Sequence, residues 1–341
     1  MTLRYLQLVI PGALAQLRSM QDFELSLSEL SVLEHCLQYG LAERLWRSDD
    51  LSHARVDSWQ QSLLYALPRE CRHYGAASAR LSWLGEGGQH QEGSCFKIMP
   101  VHFQVGLDDV RCLMPPSLSS EEAEAIFESL KPLVSSAGFQ IVKSTAVNQP
   151  SWYLWCDRGL KINTFSLQNT TQSRLFNLMP QGADAGLLRQ LMTEVQMFLH
   201  DHPVNQKRER SGVLPVNALW FYGNAPVRSV SHSIKTVVIS DSVYVKGLCN
   251  GLKIQCSELP ADIHSLLGLD AEHVLLALSE QSLQSIERNW LKDVGAALIQ
   301  GRIERLDLHL DNWQVSLHGG RWSHWRRRIQ GKRQDVKDYL S

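Results

Sequence analysis

The sequence predicts an α/β chain that carries an α+β insertion. From the helix after Asp184 onward, strands and helices alternate, which is the pattern of a sheet with helices on both faces. Residues 96–165 read differently, as a strand, a hairpin, a helix and a further strand closed by SWYLWC. A single apolar strand, RYLQLVI, precedes a helix-rich stretch at the start. The 341 residues are enough for two domains, and 44% hydrophobic with 20% charged residues is ordinary for a globular chain with a sizeable core. The expected division is therefore a discontinuous α/β domain of residues 1–95 and 166–341, interrupted by an α+β domain of residues 96–165.

The elements follow in order. MTLRYLQLVIPGALAQ has one Arg, an apolar stretch and Ala13-Leu14-Ala15, the outline of a signal peptide. Its charged start is thin and Pro11-Gly12 breaks the apolar run, so it reads as a first core strand. SLSELSVLEHCLQYGLAERLW and VDSWQQSLLYAL read as helices, and Gly85 to Gly93 as a loop rich in Gly, Gln and His. Trp152 and Trp155 in the closing strand of the insertion read as core. A polar linker runs from Asn163 to Arg174.

The stretch Leu191 to Gly223 is the richest. Leu191, Val195, Phe198 and Leu199 recur at the spacing of an amphipathic helix, which Pro203 must end because it lacks an N–H and restricts His202. The helix delivers His200, Asp201, His202 and Asn205 at its C-terminal end. A charged turn at Lys207 to Gly212 then leads to ALWFY, a buried strand with Asn217 at its entrance. Two readings of this polar cluster stand side by side. In one, His200, His202, Asn205, Arg208 and Arg210 line the mouth of an interdomain cleft and hold an anion, for which guanidinium groups are well shaped. In the other, the histidines and Asn205 satisfy groups at the helix end while the arginines are solvated.

Composition excludes several classes. A net charge of −1 argues against bulk attraction to nucleic acid or anionic membrane. No apolar window reaches the length of a membrane-spanning helix, so a soluble protein is expected. Seven cysteines, an odd count without a C-x-x-C pair, favour reduced thiols in the cytoplasm and argue against zinc. The tail RWSHWRRRIQGKRQ interleaves Arg and Lys with Trp322 and Trp325, a pattern that can hold phosphate backbone and stack on bases. It can equally pack its tryptophans and leave its arginines in water.

His202, Pro203, Val204, Asn205, Arg208, Gly212, Pro215, Asn217, Trp220 and Gly223 together resemble a motif of the archaeal-type cofactor-independent phosphoglycerate mutases, a branch of the alkaline phosphatase superfamily. Glu194, Gln196, Met197, Leu199 and His200, followed by His202 to Asn205, are similar to a related bacterial family labelled phosphoglycerate mutase or RpfE-type regulatory protein. His102 holds that family's P-V-H position, Val238 to Ser240 its return strand, and Lys246 to Leu248 its K-G-L helix. The resemblance implies an alkaline-phosphatase-like sheet with an inserted substrate-recognition domain. As candidate ligand-binding residues it and the polar cluster together give His102, His200, His202, Asn205, Arg208 and Asn217.

The same resemblance implies two divalent metals, held by Asp and His at strand ends, and a Ser or Thr nucleophile. Here the chain departs from it. Where an Asp-Gly is expected after the first strand stand Pro11 and Gly12, and a prolyl ring binds no metal. The only nucleophile candidates, Ser48-Asp49-Asp50 and Asp57-Ser58, lack the surrounding pattern. VLLALSEQS offers Ser279 and Glu280 in place of the family's Asp and His. IERLDLHLDNWQVSL offers Asp307, His309 and Asp311, which a continuous strand would set on one face, as a weak metal site or as the solvent face of an edge strand. The expectation is a degenerate, inactive relative that needs no cofactor and binds a phosphorylated small molecule or a partner protein in a regulatory role. The alternatives are an active Mn- or Mg-dependent mutase or phosphatase with divergent ligands, and a nucleic-acid or protein-binding module working through the tail.

Overall fold

The computed structural model describes residues 3–22, 27–46, 55–106, 110–113, 118–145, 151–166, 168, 175–227, 236–260, 262–269, 271–278, 281–319 and 336–340. In chain order these form β1 (Leu3–Ile10), α1 (Ala13–Asp22), α2 (Ser31–Tyr39), β2 (Leu41–Arg44), α3 (Ser58–Ala66), α4 (Ser78–Gly85), β3 (Ser94–Val105), β4 (Val110–Leu113), α5 (Ser120–Ser136), β5 (Gln140–Lys143) and β6 (Trp152–Cys156). There follow α6 (Ala185–His200), α7 (Pro203–Arg210), β7 (Ala218–Tyr222), β8 (Val237–Ile239), α8 (Val243–Leu252), β9 (Cys256–Ser257), α9 (Ile263–Leu267), β10 (His273–Ala277), α10 (Leu283–Ile286), α11 (Lys292–Ile299), β11 (Ile303–Leu310) and β12 (Trp313–His318).

The chain divides into two compact units. The first is Met1–His53, Ser58–Arg72 and Ser229–Ser341; the second is Ala54–Asp57 and His73–Arg228. The second therefore begins before residue 96 and runs well past 165. The reason lies in β7, which was expected in the main sheet. It pairs antiparallel with β3, Val101 opposite Ala218 through Lys97 opposite Tyr222, and so carries α6 and α7 into the second unit.

The first unit is a seven-stranded sheet of order β2-β12-β11-β1-β10-β8-β9. Strands β11, β1, β10, β8 and β9 run parallel, while β12 and β2 add antiparallel at one edge. Leu6, Leu8 and Ile10 of β1 and Leu306, Leu308 and Leu310 of β11 alternate onto one face and pack on α1, α2, α10 and α11. Helix α3 packs against β1 and β11, outside that apolar cluster, so the sheet is flanked on both faces. The predicted first strand is thus the centre of the sheet. The predicted helix SLSELSVLEHCLQYGLAERLW stops at Tyr39, and Leu41–Arg44 is strand β2. A Cβ on Gly40 would overlap a Val315 methyl, so the close approach of β12 selects the glycine.

The second unit is an antiparallel sheet of order β4-β3-β6-β5 with β7 on β3. Helices α5 and α6 cover it through Ile126, Phe127, Leu130, Leu188, Leu191, Val195 and Leu199, all buried. Trp152 and Trp155 are core residues, as expected. Helix α5 opens with the capping box Ser119–Glu122.

Candidate functional site

The polar cluster of the second unit is held by hydrogen bonds to protein. Pro203 ends α6, as expected, but it also starts α7, where its missing N–H is harmless and its φ suits the first helical position. Residues Pro203–Arg210 are therefore helix where a turn was expected at Lys207 to Gly212. His202 is the N-cap between the two helices. Its Nδ1 accepts from the Val204 N–H at 3.3 Å, so the hydrogen sits on Nε2 and is donated to Ser129 Oγ at 3.0 Å. Ser129 in turn donates to the Ile126 carbonyl at 2.8 Å. Burial of the ring lowers its pKa below the ordinary value, which keeps it neutral and keeps the cap.

Asn205 is 1% exposed and uses its whole amide. It donates to the carbonyls of Leu199 and Val216, both at 2.7 Å, and accepts from the Val216 N–H at 2.9 Å. The end of α6 and the entry to β7 are pinned through one side chain. Asn217 does the same one step on, accepting from the Phe103 N–H at 2.7 Å and donating to the Phe103 carbonyl at 2.9 Å, which extends the β3–β7 pairing. Arg208, 4% exposed, donates to the Leu214 carbonyl and to Glu122 Oε2, each at 2.9 Å. His102 donates from Nδ1 to the Pro215 carbonyl at 2.9 Å. His200 is exposed on the last turn of α6, and Arg210 is exposed with its Nε on the Gln206 carbonyl.

Of the candidate ligand-binding residues, His202, Asn205, Arg208 and Asn217 are thus brought together, but around backbone groups. Glu122, the acidic partner of Arg208, was missed. Its signal was present as the S-x-x-E of Ser119 to Glu122 ahead of an apolar-periodic run.

The other candidate region is the C-terminal edge of the parallel sheet in the first unit, where open α/β sheets bind ligands. Residues Ile10, Ile239, Ser257, Ala277 and Leu310 end its strands. After β1 comes Pro11, then Gly12 at φ +65° and α1. After β11 comes Asp311. It does not continue the strand; Leu310 pairs with Trp313, so Asp311-Asn312 is a two-residue hairpin turn with Asp311 at φ +49°. Its carboxylate turns back onto the start of α1, accepting from the N–H of Gly12 at 3.3 Å and of Leu14 at 3.0 Å. Ser62 of α3 donates to the Asp311 carbonyl. Burial raises the Asp311 pKa, and the two amides work against that rise.

Asp307 and His309 do not join Asp311. Strand β11 lies between β1 and β12, so it is no edge strand, and both side chains are fully buried on the face opposite the apolar core. The expected solvent face is corrected on that ground. Asp307 accepts from Tyr5, Arg305 and Gln314. His309 Nε2 lies 3.4 Å from the Gln7 amide, and its Nδ1 is buried with no hydrogen-bond partner among the described residues. Among the described residues no group of three or more His, Cys, Asp or Glu side chains is arranged to hold a metal ion. At the two strand ends after β1 and β11, Pro11 offers no donor and the Asp311 carboxylate serves two amides. Ser48-Asp49-Asp50, Ser279, Glu280 and the basic tail from Arg321 to Arg333 lie outside the described residues. No described helix is long and apolar enough to cross a membrane.

No family model matches the chain. It is 27% identical over 150 residues, 42% of its length, to the 2,3-bisphosphoglycerate-independent phosphoglycerate mutase of Methanothrix thermoacetophila. It is 23% identical over 210 residues, 61% of its length, to a probable enzyme of the same name from Geobacter sulfurreducens. These matches span 33% and 48% of the two relatives, so the chain spans about a third of the first and about half of the second. Among solved structures it is similar to the cofactor-independent phosphoglycerate mutase of Thermoplasma acidophilum (16% identity, 93% of this chain and 90% of that one, TM-score 0.41). It is likewise similar to a Pyrococcus horikoshii protein (12% identity, 94% and 88%, TM-score 0.45). At these scores the fold rests on the strand order given above rather than on the superpositions. By sequence the chain is a distant homologue of the cofactor-independent phosphoglycerate mutases.

Proposed function

We propose that this protein is a catalytically inactive relative of the cofactor-independent phosphoglycerate mutases that binds a phosphorylated small molecule or a partner protein in a regulatory role. The observation that carries the reading is the sheet edge after β1 and β11. A metal-dependent phosphoryl transfer needs free carboxylates there to carry charge onto the phosphoryl oxygens. Pro11 supplies none, and Asp311 caps α1. The net charge near zero agrees with a small-molecule or protein partner rather than nucleic acid. Distant homology supports descent from the enzymes; loss of turnover and a regulatory role are our inference, as are descent within the alkaline phosphatase superfamily and a cytoplasmic setting.

The test pairs elemental analysis of the purified protein with an assay of 3-phosphoglycerate to 2-phosphoglycerate conversion in added Mn²⁺ or Mg²⁺. The expected result is no stoichiometric metal and no turnover, with the unfolding midpoint raised by 3-phosphoglycerate or another phosphorylated metabolite in the absence of metal. Two bound metals with turnover would overturn the proposal and establish a rebuilt active site.

A further inference from the structure

Lysine normally keeps its ammonium in water or on a carboxylate. Among the described lysines, Lys97, Lys143 and Lys246 are partly buried and the rest are exposed. Lys143 pairs with Glu124 and Lys246 with Glu258. The Lys97 ammonium makes no hydrogen bond or ion pair among the described residues.

Lys97 stands in the middle of β3, and the sheet register fixes what surrounds it. It lies directly opposite Tyr153 of β6 on one side and Tyr222 of β7 on the other. Side chains paired in this way share a face, with Cβ atoms about 5 Å apart. Alternation adds Cys95 and its partner Trp155 to the same face, and all four neighbours are buried. Helix α4 crosses that face. Its start is joined to the end of β7, Ala79 N–H to the Gly223 carbonyl at 3.2 Å, and Trp83 stands T-shaped against Tyr153 and Trp155. Glu86, at its end, accepts from the Tyr153 hydroxyl at 2.9 Å and from Ser151 Oγ at 2.8 Å. The Glu86 carboxylate is thus held by two hydroxyls rather than by the lysine. Arg80, the one cation of α4, donates to the carbonyls of Gln91 and Gly93. Burial lowers the Lys97 pKa, against the opposing pull of Glu86 and Asp57. Burial raises those of Tyr153, Tyr222 and Cys95, so all three stay protonated and give the amine no counter-charge.

We propose that Lys97 is a reactive amine that condenses with small neutral aldehydes to a Schiff base. The amine lone pair attacks the carbonyl carbon, and the C=O π pair moves to oxygen. One N–H proton passes to that oxygen, giving a carbinolamine. The nitrogen lone pair then forms C=N as the hydroxyl leaves, and the second N–H proton departs with it as water. No oxidant or reductant is needed, and water reverses the step. The substrate class follows from the neighbours. A carboxylate beside Tyr153 disfavours an anionic carbonyl compound such as an α-keto acid, while the aromatic flanks accept a neutral one.

The experiment uses the native full chain at pH 7.5 with limiting glycolaldehyde and cyanoborohydride, which reduces the imine to a stable amine. Chymotrypsin, cutting after Phe96 and Phe103, sets Lys97 on a peptide with no other lysine. At early times that peptide should carry at least about threefold more adduct than any other lysine. Its labelling rate should also reach a plateau at a lower pH than that of the exposed Lys161 and Lys207. Lys97→Arg should remove the dominant adduct and leave the others unchanged. Adduct spread over the exposed lysines with Lys97 unlabelled, or Lys97 labelled on the same pH curve as they are, would overturn the proposal, and both readouts come from the wild-type chain. Glyoxylate should lose the preference for Lys97; an equal preference would overturn the assignment to neutral aldehydes.

Discussion

Replacing Asn205 by Ala separates a structural motif from a binding one. The side chain is 1% exposed and makes three hydrogen bonds of 2.7 to 2.9 Å. Leu199 O keeps a second donor, the His202 N–H at 3.3 Å. The Val216 N–H and carbonyl both lose their Asn205 partner in a buried place. An orphaned buried polar group costs about 1–3 kcal/mol, so two of them, eased by local relaxation, predict a loss of about 2–4 kcal/mol. Asn205→Asp should fare little better, because it keeps the acceptor for Val216 N–H but sets a carboxylate oxygen against two carbonyls. The exposed neighbour change His200→Ala should cost less than about 0.5 kcal/mol. The assay is urea unfolding of the second unit, followed by the fluorescence of its buried tryptophans. A loss under about 1 kcal/mol for Asn205→Ala would refute the reasoning, and would mean that the α6–β7 junction is held by something other than this amide.

Three further outcomes follow from the first unit. Burial holds the His309 pKa at about 4, below its ordinary 6.5, so the unfolded chain takes up the proton first. Its contribution to stability is full above pH ~6.5 and falls as the pH drops towards 4, by on the order of 3 kcal/mol at ~1.4 kcal/mol per pH unit; His309→Asn should flatten that part of a stability–pH curve. Glu287, 1% exposed, accepts from the N–H groups of Val32 (2.7 Å) and Leu33 (3.1 Å) and so caps α2 from across the unit. Glu287→Ala should cost about 2–3 kcal/mol, read as a shift in the thermal midpoint. Asp311→Ala removes the cap of α1 and leaves at φ +49° a residue without the short polar side chain by which Asp and Asn tolerate that backbone, for a loss of about 2–3 kcal/mol; Asp311→Asn keeps an acceptor and that tolerance, so about 1 kcal/mol is expected.

Much of this was legible because its cause is local. Leu191, Val195 and Leu199 of the α6 stripe repeat with the helix period and are buried, whereas Phe198, read with them, is exposed; RYLQLVI and ALWFY are apolar runs bounded by turn residues. The misreadings have non-local causes. Leu41–Arg44 has the composition of a helix and becomes a strand only because β12 is there to pair with it. The alternation Asp307, His309, Asp311 invited one long strand; the Asp-Asn pair was the turn signal, and it outweighs the alternation because Asp311 can adopt positive φ. The partners of Asn205 and Asn217 are backbone groups, which leave no mark in a sequence. A binding cluster and a set of side chains satisfying main-chain atoms therefore read alike.

This last point decides how far the homology carries. The residues that resemble the mutases most closely are His202, Asn205, Arg208 and Asn217, and each is occupied in holding α6, α7, β7 or β3 in place. A helix–helix–strand junction of this kind needs its buried carbonyls and amides satisfied, so this fold requires these residues whether or not a ligand binds. Phosphoryl transfer makes a separate demand, for free carboxylates at the strand ends of the first unit, where Pro11 and Asp311 stand. The two demands fall on different residues in different units. One can be met without the other, so likeness at the junction carries no information about chemistry at the sheet edge.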